Sequence, residues 1–166
     1  MDFTKSGIPG ISVTDSFADV KQRLDIVRAG NDFGFESVRG ALELEGKRYL
    51  MGVDQNPVTH DISCVEVRMF FDGDTFEGIA LGEMSAQEFA GELAKIGSTP
   101  IMEDTGIWWV DERVAWVSVC FYVYEDVPST ICWWGKDLVD DEIKTIFSGK
   151  IEELDPNVYH LYKAEE

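Results

Sequence analysis

The sequence predicts an α+β fold, mainly antiparallel, built as two tandem helix-plus-sheet modules with a C-terminal helix. Three observations predict it. Apolar residues recur at helical spacing in two places, beginning at Phe17 and at Phe89. Each stripe is followed by strand-like alternation broken by turn residues. The two blocks also resemble each other: "DSFADVKQRL" from Asp15 and "MSAQEFAGEL" from Met84 both set Ser, an acid three places on, a large apolar residue and then Leu, at an offset of 69.

In the first module Phe17, Val20, Leu24 and Val27 form one helical stripe, capped by Thr14, Asp15 or Ser16 and ended by Gly30. "ALELEGKRYLMGV" then alternates, turns at Glu45-Gly46-Lys47 and alternates again, which is a hairpin. "ISCVEVRMFF" supplies a third strand, and Asp72–Asp74 turn the chain into "TFEGIAL". In the second module Ser85 and Glu88 have the spacing of a capping box, with Met84 and Phe89 placed as a hydrophobic staple. Phe89, Leu93 and Ile96 carry the stripe and Gly97 ends it. "GIWWVDERVAWVSV" aligns with "GALELEGKRYLMGV" at an offset of 66, placing Gly106 on Gly40, Asp111 on Glu45, Arg113 on Lys47 and Val119 on Val53. "ICWW" then parallels "ISCV". A third helix is expected around "DLVDDEIKTIFSG", followed by an extended tail. The module boundaries are 1–81 and 82–166, with one continuous domain as the other arrangement.

Strand periodicity assigns faces. In the first module Leu42, Leu44, Tyr49, Met51, Val53, Val65, Val67, Met69 and Phe71 make the apolar face, and Glu43, Glu45, Glu66 and Arg68 the wet one. In the second, Trp108, Val110, Ala115, Val117, Val119, Phe121 and Val123 make the core face. Trp109, Trp116, Tyr122 and Tyr124 fall on the opposite side. Aromatic residues on both faces require a cover for the second one. The C-terminal helix or the first module's sheet can supply it, and so can a partner. Tyr and Trp suit an interface because they combine large area with a polar tip.

The chain carries 32 acids against 14 bases, a net charge of -18, unevenly spread. Residues 1–40 hold six acids and five bases, whereas residues 72–126 hold twelve and two, a net of -10. Such a field repels nucleic acid and anionic membranes and attracts basic surfaces. Ordinary solubility explains the same acidity. Glu103, Asp104, Asp111, Glu112, Glu125 and Asp126 lie at the ends of the aromatic strands, so an aromatic centre with an acidic rim fits a basic protein partner.

Catalytic and cofactor signals are missing. Cys64, Cys120 and Cys132 read as reduced core thiols of a cytosolic protein, without a CxxC and with only His60 and His160 as histidines, so no metal site or disulfide scaffold is expected. Asp72, Asp74 and Glu77 lack EF-hand spacing and read as a turn. His60 beside Thr59 and Asp61 reads as a loop histidine. No GxGxxG, Walker A, GxSxG or HExxH occurs. No apolar run is long enough for a transmembrane helix, and "MDFTKSGIPG" is not a signal peptide. The expectation is a non-catalytic, cytoplasmic module without cofactor, monomeric or homodimeric.

In size, acidity and apparent duplicated helix–sheet layout, though in no signature motif, the chain resembles bacterial immunity proteins. That resemblance implies that it binds and occludes a cognate toxin. It is similar also to the type III secretion chaperone class, small acidic proteins with helices interleaved among strands, which implies a dimer and a hydrophobic groove for an effector segment, although this chain is longer. A small-ligand carrier that uses the aromatic face as a pocket wall is the third reading.

Overall fold

A computed structural model describes residues 1–32, 35–56, 59–82, 84–98, 101–103, 106–110, 116–122 and 125–135, with the backbone alone at 31, 32, 35, 101–103, 106–110 and 116. In chain order the elements are β1 (Asp2–Phe3), α1 (Phe17–Arg23), β2 (Asp25–Asp32), β3 (Phe35–Leu44), β4 (Lys47–Gln55), β5 (Ile62–Arg68), β6 (Thr75–Phe76), β7 (Ile79–Ala80), α2 (Ala86–Lys95), β8 (Ile101–Glu103), β9 (Gly106–Val110), β10 (Trp116–Phe121) and β11 (Pro128–Trp134). One eight-stranded antiparallel sheet, ordered β2-β3-β4-β5-β11-β10-β9-β8, dominates. A small sheet of β1, β6 and β7 lies apart from it in the pairing order.

This architecture corrects the expected pair of helix-plus-sheet modules. The described chain is mostly β, its helices have 7 and 10 residues, and strands from both halves share one sheet. The first helical stripe divides. Ser16 caps α1 by accepting from the Asp19 amide at 3.1 Å, and Phe17 and Val20 are buried beneath it. At Leu24 the backbone becomes extended, and β2 pairs with β3 instead of continuing the helix. Val27, the fourth member of the stripe, is 77% exposed at a bulge in that pairing. The strand ladder wins because this edge offers backbone partners to every residue of Asp25–Asp32 except the bulged Val27, which a marginal helix of α1's length cannot match.

The offset-66 correspondence also fails at its hairpins. Leu44 pairs Lys47 across a two-residue turn, with Glu45 and Gly46 both at positive φ (50° and 73°), the geometry a tight hairpin needs. Val110 pairs Trp116 across residues 111–115. Met51 faces Gly40, yet Gly106 faces Cys120 rather than Val117, so the ladders are three residues out of step. The third helix and tail, and the turn at Asp111–Arg113, lie outside the described residues.

The core sits on one face of the large sheet. Val38, Tyr49, Met51, Val53, Val65, Val67, Val117, Val119, Ile131 and Trp133 come from five strands and meet Phe17 and Val20 of α1 and Phe89 and Leu93 of α2. Each such side chain removed from water contributes roughly 1.5–3 kcal/mol. Phe3 ties the small sheet to the large one, packing edge-on against Tyr49 at 5.6 Å and lying 6.3 Å from Trp133. The buried Trp133 donates its indole N–H to the Thr4 carbonyl at 2.7 Å. Phe89 bridges Phe76 and Phe121 at 6.2 and 5.9 Å, fixing α2 over the β10 end. The capping box is formed as the sequence indicated: Ser85 and Glu88 bond reciprocally, and Gly97 leaves the helix at φ 87°. No described helix is long and apolar enough to cross a membrane.

Candidate functional site

The ten residues singled out for partner contact fall into three groups. Tyr122, Glu125 and Asp126 belong to the β10–β11 turn, which closes on itself: the Tyr122 amide donates to the Val127 carbonyl at 2.9 Å, and the Asp126 amide to the Tyr122 carbonyl at 2.8 Å. Tyr122 is 48% exposed, and Glu125 and Asp126 are exposed beside it. Glu103, Trp109 and Trp116 occupy strand positions in β8, β9 and β10. Asp104, Asp111, Glu112 and Tyr124 lie outside the described residues.

Within this set the structure separates roles. The Asp126 carboxylate accepts from the Ala86 amide at 3.1 Å, so it satisfies one of the unpaired donors at the start of α2 while Ser85 satisfies another. Its φ of 49° is tolerated by Asp, whose short polar side chain suits the left-handed region. Asp126 therefore docks the turn onto the helix. Among the described residues Glu125 makes no ion pair or hydrogen bond, and with Tyr122 it is exposed. Trp109 and Trp116 do not share a face. Trp109 is the register partner of Val117, on the core side, whereas Trp116 pairs Val110 and Trp134 on the other. Trp108, expected in the core, pairs Ser118 on that same other side. Alternation was counted correctly within each strand, but the connection at 111–115 shifts β9 against β10, and a shift by an odd number swaps faces.

The side of the sheet away from the core carries a polar network. Arg39 donates to Asp54 at 2.8 Å and sits 3.3 Å from Glu66, while Arg68 lies 3.1 Å from Glu66 on its other flank. Burial alone would lower the Arg39 pKa, but the hydrogen bond and charge of Asp54, with Glu66, outweigh it and raise the value. Glu66, expected on a wet face, is 9% exposed and lies across Gly52. Its neighbours in register are Cys132 and, two residues along, Cys64, both buried. Trp134 donates its indole N–H to Ser118 at 3.0 Å on this side.

The sequence reading missed a third feature. Leu50, Met69 and Phe71 are exposed large apolar residues, and Met69 has φ 64°. Strand alternation extended past Arg68 puts Met69 and Phe71 on the core face, but β5 stops at Arg68 and alternation has no meaning beyond it.

Two concavities lie among the described residues. A groove of about 490 Å³ lies along the N-terminal segment, where Asp2 already accepts from Thr75 and Gly78 and Asp15 from the Ser12 amide, with Arg23 nearby at 3.7 Å. A smaller one of about 130 Å³ is lined by Arg28, Gly30, Ser37 and Arg39. His60 and Asp61, with Thr59, form a backbone-bonded turn: the His60 amide donates to the Asn56 carbonyl and the Asp61 amide to the Thr59 hydroxyl. Among the described residues no three His, Cys, Asp or Glu side chains are grouped so as to hold a metal ion. The sequence matches no protein-family model, and no curated protein or solved structure matches it either.

Proposed function

We propose that this chain is a non-catalytic, acidic protein-binding module that grips a basic protein, in the manner of an immunity protein occluding a toxin. The observation that carries the reading is Tyr122, half out of the surface in a turn with the exposed Glu125, which has no partner among the described residues, inside the stretch whose net charge is -10. The long-range field raises the encounter rate with a cationic surface. The aromatic ring supplies desolvated contact area that slows dissociation. Asp126 contributes by holding the turn against α2 as well as by its charge.

The test is binding to the basic product of a neighbouring reading frame, measured across salt concentration. The reading expects a complex whose affinity falls steeply between low and physiological salt, and protection of cells that express the partner. A tight homodimer by light scattering, with affinity for an extended apolar segment and indifference to salt, would reject it in favour of a secretion chaperone. Thermal stabilisation by one member of a metabolite panel, without any protein partner, would favour a ligand carrier.

A further inference from the structure

All three cysteines of the chain come together on the side of the sheet away from the core, although 56 residues separate the first from the second. Cys132 stands in β11 directly opposite Glu66 of β5 and Ser118 of β10. Cys64 pairs Trp134 and Cys120 pairs Thr130, so each of these thiols is the diagonal neighbour of Cys132, one on either side. The Cys132 thiol is hydrogen-bonded to both. No disulfide joins them. Cys64 and Cys132 are buried, whereas Cys120 is half-buried, the most exposed of the three residues.

We propose that Cys120 and Cys132 form a reversible oxidation site, closing a cross-strand disulfide between β10 and β11 in response to a peroxide. The chemistry takes two steps. The Cys120 thiolate attacks one peroxide oxygen, the O–O bond breaks, water leaves after proton transfer, and Cys120 becomes a sulfenic acid. The Cys132 sulfur then attacks the Cys120 sulfur, the S–O bond breaks, and a second water leaves with the Cys132 proton. Two thiols are oxidised by two electrons in total, and one hydrogen peroxide, the peroxide meant here, is reduced to two waters.

Geometry decides both the pair and its reversibility. Cys64 is as close to Cys132 in register but lies buried, so it meets the oxidant last. Diagonal neighbours in an antiparallel ladder have Cα atoms about 7–8 Å apart, beyond the usual disulfide span of about 4.4–6.8 Å. Closing the bond draws the strands together and strains it. Strained disulfides are readily reduced, which makes this a switch rather than a staple. The Cys132 thiol itself is a poor first nucleophile. Its bond with Cys120 alone would lower its pKa, but the bond with Cys64, burial and the Glu66 carboxylate outweigh that and push it up.

The experiment treats the full-length native protein with hydrogen peroxide, counts thiols after denaturation, and maps cross-linked peptides under non-reducing conditions. The expected result is loss of two of the three thiols, a monomeric product carrying a Cys120–Cys132 link, and full recovery with dithiothreitol. Cys120→Ser and Cys132→Ser should each abolish the link, and Cys64→Ser should leave it. Three thiols surviving treatment, a link through Cys64, or irreversible loss of Cys120 alone would each overturn the proposal. Because mapping of the unsubstituted protein decides it, a variant that fails to fold does not obscure the outcome.

Discussion

The Tyr49 phenol donates to both carboxylate oxygens of Asp74, at 2.9 and 3.1 Å, in a site where the Asp74 side chain is wholly buried. The same carboxylate accepts from the Phe71 amide at 2.8 Å and the Met1 ammonium at 3.1 Å, with Lys47 at 3.5 Å. Burial alone would push the Asp74 pKa up. The bonds from Phe71, the ammonium and Tyr49 outweigh it and hold the carboxyl below its ordinary range. Tyr49 moves the other way, raised first by burial and then by Asp74. A carboxylate depressed on folding stabilises the folded state above its unfolded pKa, and that contribution is lost as pH falls through the folded value. Asp74→Asn should cost about 3 kcal/mol at pH 7 by urea unfolding, because it leaves buried donors facing a neutral amide. The gap between the two proteins should begin to narrow below about pH 4, where the carboxyl of the unfolded wild-type chain takes up its proton, and keep narrowing as pH falls through the lower folded value. An unchanged gap at pH 3 would show that Asp74 carries no charge-dependent stability.

Two glycines in the large sheet make opposite forecasts. A Cβ on Gly52 would lie 2.6 Å from Glu66 Cγ, and one on Gly40 would lie 2.6 Å from the Asp25 carbonyl oxygen. A side chain can swing aside, whereas a backbone carbonyl within a ladder cannot. Gly52→Ala should cost about 1–2 kcal/mol and be largely rescued by adding Glu66→Ala. Gly40→Ala should cost about 3 kcal/mol, with no rescue from Glu66→Ala and with loss of amide-exchange protection along β2. Equal rescue of both would mean that the crowding at Gly52 is not against Glu66.

Neighbouring acids in the β10–β11 turn should behave differently. Asp126→Ala removes the acceptor of the Ala86 amide and should lower stability by about 1 kcal/mol, similar to Ser85→Ala at the same helix end. Glu125→Ala should leave the melting temperature unchanged within error. Thermal unfolding of the three variants checks this. A destabilised Glu125 variant would show that the turn's acidity is structural throughout.

Tyr122→Ala should change stability by less than about 0.5 kcal/mol, since the ring is half exposed, yet weaken the partner complex at least about tenfold, mostly through faster dissociation. Surface plasmon resonance on the folded variant reads both rates. Unaltered affinity would remove Tyr122 from the interface.

Where local chemistry decided, the sequence was legible. The Glu45-Gly46 turn, the Ser85–Glu88 box, the Gly97 stop and the strands at Ile62 and Ile131 follow from residue types that permit few alternatives. Legibility ended where distant chain decided. Leu24 and Val27 keep helical spacing, but β3 claims that segment as an edge strand. Glu66 and Arg68 alternate like solvated residues, but Arg39 comes from another strand to bury Glu66. Of the site, Tyr122 and Glu125 are exposed, which their residue types alone do not decide. The faces of Trp108 and Trp109 depended on a connection whose length the offset alignment misjudged. Asp74, which reads as one member of a turn, gains its role from Tyr49 and Met1, which no local pattern reveals.

The pairing of Ile62–Arg68 with Pro128–Trp134 sets an order on biosynthesis. Until residue 134 has left the ribosome, Ile62–Arg68 has a neighbour on one side only, although six of its seven residues are buried in the finished molecule. At roughly 5–20 residues per second the nascent chain carries that greasy, half-satisfied border for several seconds. A chaperone that shields it during this interval, or a slower codon stretch after it, would change the yield of folded protein without altering its final stability.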